Sequence, residues 1–155
     1  MTQASEGRLD AKGMRFALVA SRTNDLVAVR LLAGAEDCLE RHGSSAKQRT
    51  VVRVPGCWEM PLAVSRLAAS GRFDAVVALG ALIRGETPHF DVLAAEVAKG
   101  LAQASLQSGV PVTFGVVTAD TLDQAMERAG AKSGNKGWDA ALAAVEMVSL
   151  LRQMA

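Results

Sequence analysis

The chain has 155 residues, half of them hydrophobic, and a net charge of +1 from 17 basic and 16 acidic side chains. A chain of this length folds as one domain. Its balanced charge argues against binding to nucleic acid or anionic lipid, and no apolar run approaches the ~20 residues of a membrane span.

The first residues differ in composition from the rest. Residues 1–13 mix charge, Gly and Ser without an apolar core, which predicts a flexible tail rather than a signal peptide, ahead of a single domain at 14–155. Cys38 and Cys57 are isolated and lack metal-ligand spacing. Both are therefore predicted to be free thiols in a reducing compartment, and we expect a cytoplasmic protein.

The first half of the chain alternates strand and helix patterns. A strand is predicted over 15–20, followed by a polar turn with Asn24 as helix N-cap. The helix runs to His42 and stops at Gly43. Its predicted buried face consists of Leu26, Val29, Leu32, Ala33 and Leu39. A loop over 44–48 leads to a second strand at 50–54.

The middle of the chain repeats this alternation. A helix opens near Glu59 and ends at Gly71, and a third, apolar strand covers 74–79. A polar turn begins at Gly80, with Thr87 as N-cap and Pro88 in the first helical position. The helix that follows ends at Gly109. Its predicted buried face consists of Phe90, Leu93, Val97, Leu101 and Ala104.

The last third completes the fold. A fourth strand is predicted over 111–117, a short helix over 122–129 capped by the segment Thr118-Ala-Asp-Thr121, a Gly-rich link over 130–137 and a last helix over 138–154. Strands that alternate with helices predict an α/β fold, a three-layer sandwich around a four-stranded, mainly parallel sheet. The wide apolar faces of the Ala-rich helices predict burial against other subunits.

Candidate ligand-binding residues lie in the strand-to-helix turns, which meet at one end of a parallel sheet. Trp58 and Glu59 are suited to stacking on a flat ligand and hydrogen-bonding to it. The alternative is a tryptophan that covers the core and a favourable charge in a first helical turn, and composition alone favours that alternative.

The turn from Gly80 to His89 has free backbone N–H groups at a helix start, which suit a phosphate or carboxylate. His89 either transfers protons near neutral pH or is an ordinary surface residue. Arg84 and Arg128 either meet a phosphate or are paired surface groups. No nucleotide-binding glycine motif and no zinc spacing occurs in the sequence, which disfavours a nucleotide cofactor.

Four segments together resemble the lumazine synthase family of riboflavin biosynthesis. They are Pro55-Gly-Cys-Trp-Glu-Met-Pro61, Gly80-Ala-Leu-Ile-Arg-Gly-Glu-Thr-Pro-His-Phe-Asp91, Gly109-Val-Pro-Val-Thr-Phe-Gly-Val-Val-Thr118 and Glu127-Arg-Ala-Gly-Ala-Lys-Ser-Gly-Asn-Lys-Gly137. The resemblance implies a flavodoxin-like sandwich with strand order 2-1-3-4. It also implies that 5-amino-6-(D-ribitylamino)uracil condenses with 3,4-dihydroxy-2-butanone 4-phosphate, releasing phosphate and water. That reaction calls for no metal and no organic cofactor.

The resemblance also implies roles for individual residues. Glu59, with the backbone around Cys57 and Trp58, would bind the ribityl chain and the pyrimidine. His89 would transfer protons, and Arg128 would complete the phosphate site. The pyrimidine edge would meet the backbone of Ala81, Leu82 and Ile83. The phosphate would lie in a turn made by Gly85, Glu86 and Thr87.

In the family the site forms between subunits. Phe114 and Arg128 would belong to the neighbouring subunit's site, with Lys136 as a further basic residue nearby. Members form pentamers, and some pack twelve pentamers into a hollow shell. The short link between the last two helices favours the 60-subunit shell here. Riboflavin synthase is a candidate partner.

One position departs from the family pattern. Thr23 stands where members usually carry an aromatic residue that stacks on the pyrimidine or lumazine ring. Losing that ring predicts weaker binding of lumazine- and flavin-like molecules, with partial compensation by Trp58. The alternative to an enzyme is a paralogue that binds flavin or lumazine, or only builds a shell, with reduced activity.

Overall fold

Strands and helices alternate along the chain. The computed structural model describes residues 2–155, so Met1, the first residue of the predicted tail, lies outside the described part. The strands are β1 (Phe16–Ser21), β2 (Arg49–Val54), β3 (Ala75–Ile83) and β4 (Val112–Ala119). The helices are α1 (Asp25–Arg41), α2 (Met60–Ala69), α3 (His89–Ser108), α4 (Leu122–Arg128) and α5 (Lys136–Met154). All strand pairs are parallel, in the order β2-β1-β3-β4, which confirms the predicted α/β sandwich and its strand order.

The sheet is covered on both faces, as parallel sheets usually are. Every residue of β1 is buried. Phe16 and Leu18 point to one face and pack with α1, α4 and α5, whereas Ala17 and Val19 point to the other and pack with α2 and α3. In the described part of the chain, no helix combines the length and apolarity needed to cross a membrane.

The buried face of α3 is as predicted, but that of α1 is not. Leu26 and Val29 are 58% and 47% exposed. The residues of α1 that are buried are Val27, Ala28, Leu31, Ala35, Cys38 and Leu39. The reason is the close crossing with α5, where a Cβ added at Gly137 would collide with the backbone carbonyl of Leu31. That contact selects one of two apolar stripes of α1 and leaves the other on the surface.

The third strand is longer than predicted. It continues through Gly80 to Ile83, because β4 pairs with it as far as Ile83↔Ala119. Gly80 is required by packing and not by a turn. A Cβ there would lie 2.8 Å from Ser21 Oγ and 3.0 Å from Cys57 Sγ. The turn before α3 therefore begins only at Arg84.

Two helix starts also shift by one or two residues. Pro88, not Thr87, is the N-cap position of α3, although the Thr87 hydroxyl accepts a long hydrogen bond (3.4 Å) from the His89 N–H. The last helix starts at Lys136, because the Asn135 side chain accepts hydrogen bonds from Gly137 N and Trp138 N. A side-chain cap thus extends α5 into the predicted Gly-rich link.

Residues of the predicted tail contact the domain without forming a helix or strand. The Arg8 N–H donates to Ser149 Oγ at 2.8 Å, and the Gln153 side chain donates to the carbonyl of Glu6 at 2.8 Å. The Ala11 N–H donates to the carbonyl of His42 at 2.7 Å. The flexibility of residues 1–13 stays a prediction.

An acidic side chain joins three elements at the amino end of the sheet. The Asp74 carboxylate accepts a hydrogen bond from the Arg15 backbone N–H at 2.7 Å. It also pairs with the guanidinium groups of Arg15 at 3.3 Å and Arg152 at 3.6 Å. Burial opposes ionisation, but the hydrogen bonds and charges of the two arginines outweigh it and lower the pKa of Asp74 below its ordinary value.

Asp74→Asn is expected to lower the free energy of unfolding near neutral pH by about 1–2 kcal/mol. This is less than the full worth of hydrogen bonds to a charged group, because both arginines are about half exposed. Because the folded pKa of Asp74 is depressed, this contribution is full above the ordinary pKa of 3.8 and disappears as the pH falls through the folded value. Urea titrations at pH 7 and below pH 4 measure it. A difference between wild type and variant that did not narrow in acid would contradict the assignment.

Candidate active site

A cavity of about 700 Å³ lies where β1, β2 and β3 end. Ligands of open α/β sheets bind in this position. Its lining comes from the turns after the three strands and from the start of α3. The lining residues are Thr23, Asn24, Gly56, Cys57, Trp58, Glu59, Leu82, Ile83, Gly85, Thr87, His89, Phe90, Val92 and Leu93.

The unequal lengths of β1 and β3 open this cavity. Pairing between them stops at Ala20↔Leu79, whereas β3 continues to Ile83. The backbone groups of successive strand residues point to opposite edges. Arg84 N donates to Ala119 O on the β4 side, so the N–H and C=O of Ile83 face the opposite side, beyond the end of β1. These groups are suited to pairing with the edge of a flat, polar ring.

Asn24 shapes the turn after β1. Among residues 2–155 it is the only non-glycine residue with a positive φ, at 53°, a conformation that Asn tolerates better than most residues. Asn24 occupies the N-cap position of α1, as predicted, but its side chain makes no capping hydrogen bond. The amide instead donates to the carbonyl of Ala81 at 2.9 Å, which ties the Thr23 turn to β3 and engages the carbonyl of Ala81 within the protein.

The second turn carries one buried and two exposed site residues. Cys57 is 3% exposed, and its thiol donates to the carbonyl of Ala81 at 3.8 Å. Burial raises the pKa of Cys57, with a smaller contribution from the charge of Glu59, so the group is a neutral thiol at pH 7. Trp58 is 58% exposed and lines the cavity, so it does not cover the core.

Glu59 lies at the N-cap position of α2, exposed to solvent and in the cavity lining. The two roles that the sequence offered for Glu59, a ligand-binding group and a charge at a helix start, are therefore both compatible with its position. Its carboxylate is a favourable negative charge at a helix start and a hydrogen-bond acceptor beside the opening.

The third turn brings the histidine to the cavity. Gly85 and Thr87 line the wall together with His89, the first residue of α3. Residues 84–89 are exposed, and the first N–H groups of the helix have no partner within it. The turn thus presents backbone donors and a titratable ring to the same space. Glu86 belongs to the turn but does not line the cavity.

Arg84 is a paired group and not a free cation. Its Nε donates to Asp120 at 3.0 Å and its Nη1 to Asp91 at 3.2 Å, while its guanidinium lies 4.5 Å from the ring centre of Phe90. Of the two interpretations considered for this arginine, the paired surface group is correct.

Comparison with known proteins assigns the family. The model of the 6,7-dimethyl-8-ribityllumazine synthase family matches residues 13–152. The chain belongs to this family. The synthase of Syntrophus aciditrophicus is 58% identical over 154 residues, covering 99% of this chain and all of that protein. The synthase of Aquifex aeolicus is 57% identical over 152 residues, covering 98% of this chain and 99% of that protein.

Besides the buried Ala81 and the turn residue Glu86, three residues that the lumazine synthase resemblance assigns to the site do not line the His89 cavity. Phe114 is 48% exposed beside a cleft between β4 and α3. Arg128 lines a polar cavity of about 550 Å³ on the other side of Phe90. Lys136 lies 3.7 Å from Asp139 at the start of α5. Within one subunit, these side chains do not join the cavity that contains His89.

Some cavity residues were missed by the sequence analysis. Asn24 was considered only as a helix cap, and Val92 and Leu93 only as helix residues. Asn24 had a weak signal, since Asn adopts the left-handed conformation more readily than other non-glycine residues. Val92 is 59% exposed, and its place in the cavity lining has no local signal.

Proposed function

We propose that this chain is a 6,7-dimethyl-8-ribityllumazine synthase, a transferase of riboflavin biosynthesis. It would condense 5-amino-6-(D-ribitylamino)uracil with 3,4-dihydroxy-2-butanone 4-phosphate and release phosphate and water. Family membership over nearly the whole chain supports the reaction. The structural observation that supports this reaction is that Glu59, Ile83 and His89 line one cavity together with Gly85 and Thr87 of the turn before α3.

The ring half of the site would bind the aminouracil. The backbone N–H and C=O of Ile83 would pair with the pyrimidine edge, whereas Leu82, whose backbone groups face β4, would only line the cavity. Ala81 would act mainly by anchoring Asn24. Trp58 would offer an apolar face, and Glu59 would accept hydrogen bonds from the ribityl hydroxyls. A ring held at its edge presents its free amine toward α3.

The phosphate half would bind the second substrate. The N–H groups of Gly85, Glu86 and Thr87 would receive the phosphate at the positive end of α3. His89 would carry protons during imine formation and phosphate elimination. Since an amine and a ketone react without a catalyst, holding both in place would supply much of the acceleration. Donors that bind the leaving phosphate would stabilise the charge that develops on it.

A second subunit would complete this site. Phe114 and Arg128 lie outside the cavity of their own chain and are exposed, which is consistent with a role in a neighbour's site, with Lys136 close by. Large apolar side chains on the surface support burial between subunits. They include Leu26, Val29, Leu62, Val92, Leu106 and Phe114. We propose a pentamer, and twelve pentamers in a 60-subunit shell because residues 130–137 contain no insertion. A cytoplasmic location and riboflavin synthase as a partner stay predictions.

Sedimentation at neutral pH tests the assembly. A 60-subunit shell sediments as one very large species, well separated from a pentamer, because the mass differs twelvefold when twelve pentamers associate. A pentamer-sized species alone would be compatible with a site shared between subunits but would contradict the 60-subunit shell. A monomer with full activity would contradict both.

Turnover tests the reaction. Mixing the two substrates with the protein should produce lumazine absorbance faster than the uncatalysed mixture. His89→Gln should lower kcat by about 100-fold, the low end for a lost acid–base group, while leaving phosphate binding unchanged. Binding of lumazine or flavin without turnover would favour the paralogue instead.

Thr23→Trp tests the missing stacking ring. The new ring should tighten binding of a ribityllumazine analogue by about 2- to 10-fold, which corresponds to an aromatic contact of about 0.5–1.5 kcal/mol. Thr23→Val is the matched control, since it keeps the volume and supplies no ring. Fluorescence titration measures both. Equal affinities for the two variants would show that Trp58 already provides the stacking surface.

A further inference from the structure

A charged cluster stands directly behind the proposed phosphate turn. This Arg84 cluster consists of Arg84, Asp91, Asp120 and the ring of Phe90. Arg84 is the last residue before Gly85, and its backbone N–H donates to Ala119 O at 2.9 Å, next to the end of the β3–β4 ladder. Its guanidinium donates to a carboxylate of α3 and to one of the β4–α4 connection. One side chain thus connects three elements around the turn.

These contacts involve two nitrogens and one face of the Arg84 guanidinium. Nε and Nη1 face the two carboxylates at 3.0 and 3.2 Å, and the plane lies against Phe90 at 4.5 Å. An isolated exposed ion pair contributes little. Here two acceptors and one aromatic face hold the same planar group, which makes its geometry more defined. Phe90 in turn lines both the His89 cavity and the polar cavity of Arg128.

The charges of the cluster matter because a phosphate is a dianion. Asp91 lies in the first turn of α3, and Asp120 follows the strand next to β3. Both carboxylates are more than half exposed, and Glu86 adds a third negative charge in the turn itself. Without compensation, these groups would repel an anion that approaches Gly85. Arg84 is the basic side chain that pairs with the first two.

We propose that Arg84 is a positioning residue for the phosphate half of the site. It neutralises the charges of Asp91 and Asp120, so that the dianion meets backbone donors and not two free carboxylates. It acts through these partners and does not itself grip the phosphate. The inference rests on the proposed function, because that function places the phosphate in this turn.

Titration of inorganic phosphate into the assembled protein tests the inference. Arg84→Met should weaken phosphate binding roughly tenfold, the scale of one or two uncompensated charges nearby. The triple variant Arg84→Met/Asp91→Asn/Asp120→Asn should recover affinity to within about threefold of wild type, since the repelling charges are gone. A structural support would not be rescued in this way, because the triple variant lacks every ion pair of the cluster.

Steady-state kinetics provide a second measurement. Arg84→Met should raise KM for the butanone phosphate and leave KM for the aminouracil unchanged. Arg41→Met is the matched control, since Arg41 pairs with Asp37 at 3.1 Å on the surface of α1, and it should change neither value. Equal increases in both KM values, or a triple variant no better than Arg84→Met, would overturn the proposal.

Two further variants keep the test valid if Arg84→Met does not fold. Asp91→Asn/Asp120→Asn with Arg84 intact should tighten phosphate binding, because the arginine charge is then uncompensated; unchanged or weaker binding would overturn the proposal. Arg84→Lys, which keeps the charge, should bind phosphate better than Arg84→Met. The phosphate titration needs no turnover. An inactive wild type with these binding changes would refute the proposed reaction and leave the role of Arg84 standing.

Discussion

The site depends on the stagger between two neighbouring strands. β3 extends four residues beyond its last pairing with β1, at Leu79, and this leaves unpaired backbone groups at the carboxyl edge of the sheet. Buried backbone groups must find partners. Asn24 supplies one for Ala81 by adopting a left-handed conformation, and the thiol of Cys57 reaches the same carbonyl. Ile83, one alternation further, remains open to a ligand. The unpaired backbone groups of β3 thus fix the positions of the two turns that contain Asn24 and Cys57, and they leave the edge at Ile83 free for a ligand.

Small residues allow the elements to come close enough for this arrangement. Gly80 lets Ser21 and Cys57 meet behind the cavity, and Gly100 lets α3 approach Pro61 at the start of α2. On the opposite face, Gly137 brings α5 onto α1. At each of these glycines, backbone or side-chain atoms of the facing element occupy the space that a Cβ would need. The glycines are therefore determined by packing between layers, and their effect at the cavity is indirect.

Electrostatics divides the cavity into two unlike halves. Around Trp58 and Ile83 the lining is apolar with a few backbone groups, which suits a flat ring. Around Gly85 the surface carries charges of both signs. The positive start of α3 favours an anion, but several carboxylates nearby repel it. The pairing of Arg84 with two of them resolves this conflict locally. Arg128, which we propose as a further cation of the phosphate half, lines a different cavity beside Phe90 and would act in the site of a neighbouring subunit.

The sequence alone determined the alternation of elements, because strands and helices have different apolar periods and capping residues mark their ends. It also determined the buried face of α3, which has a single apolar stripe. Family motifs, and not periodicity, indicated the strand order and most cavity residues. Only the tertiary structure decided which stripe of α1 is buried, that Gly80 lies within a strand, that Asn24 bonds to Ala81, and that Arg84 is paired. Each of these depends on a contact between residues far apart in the chain, for which a local pattern carries no signal.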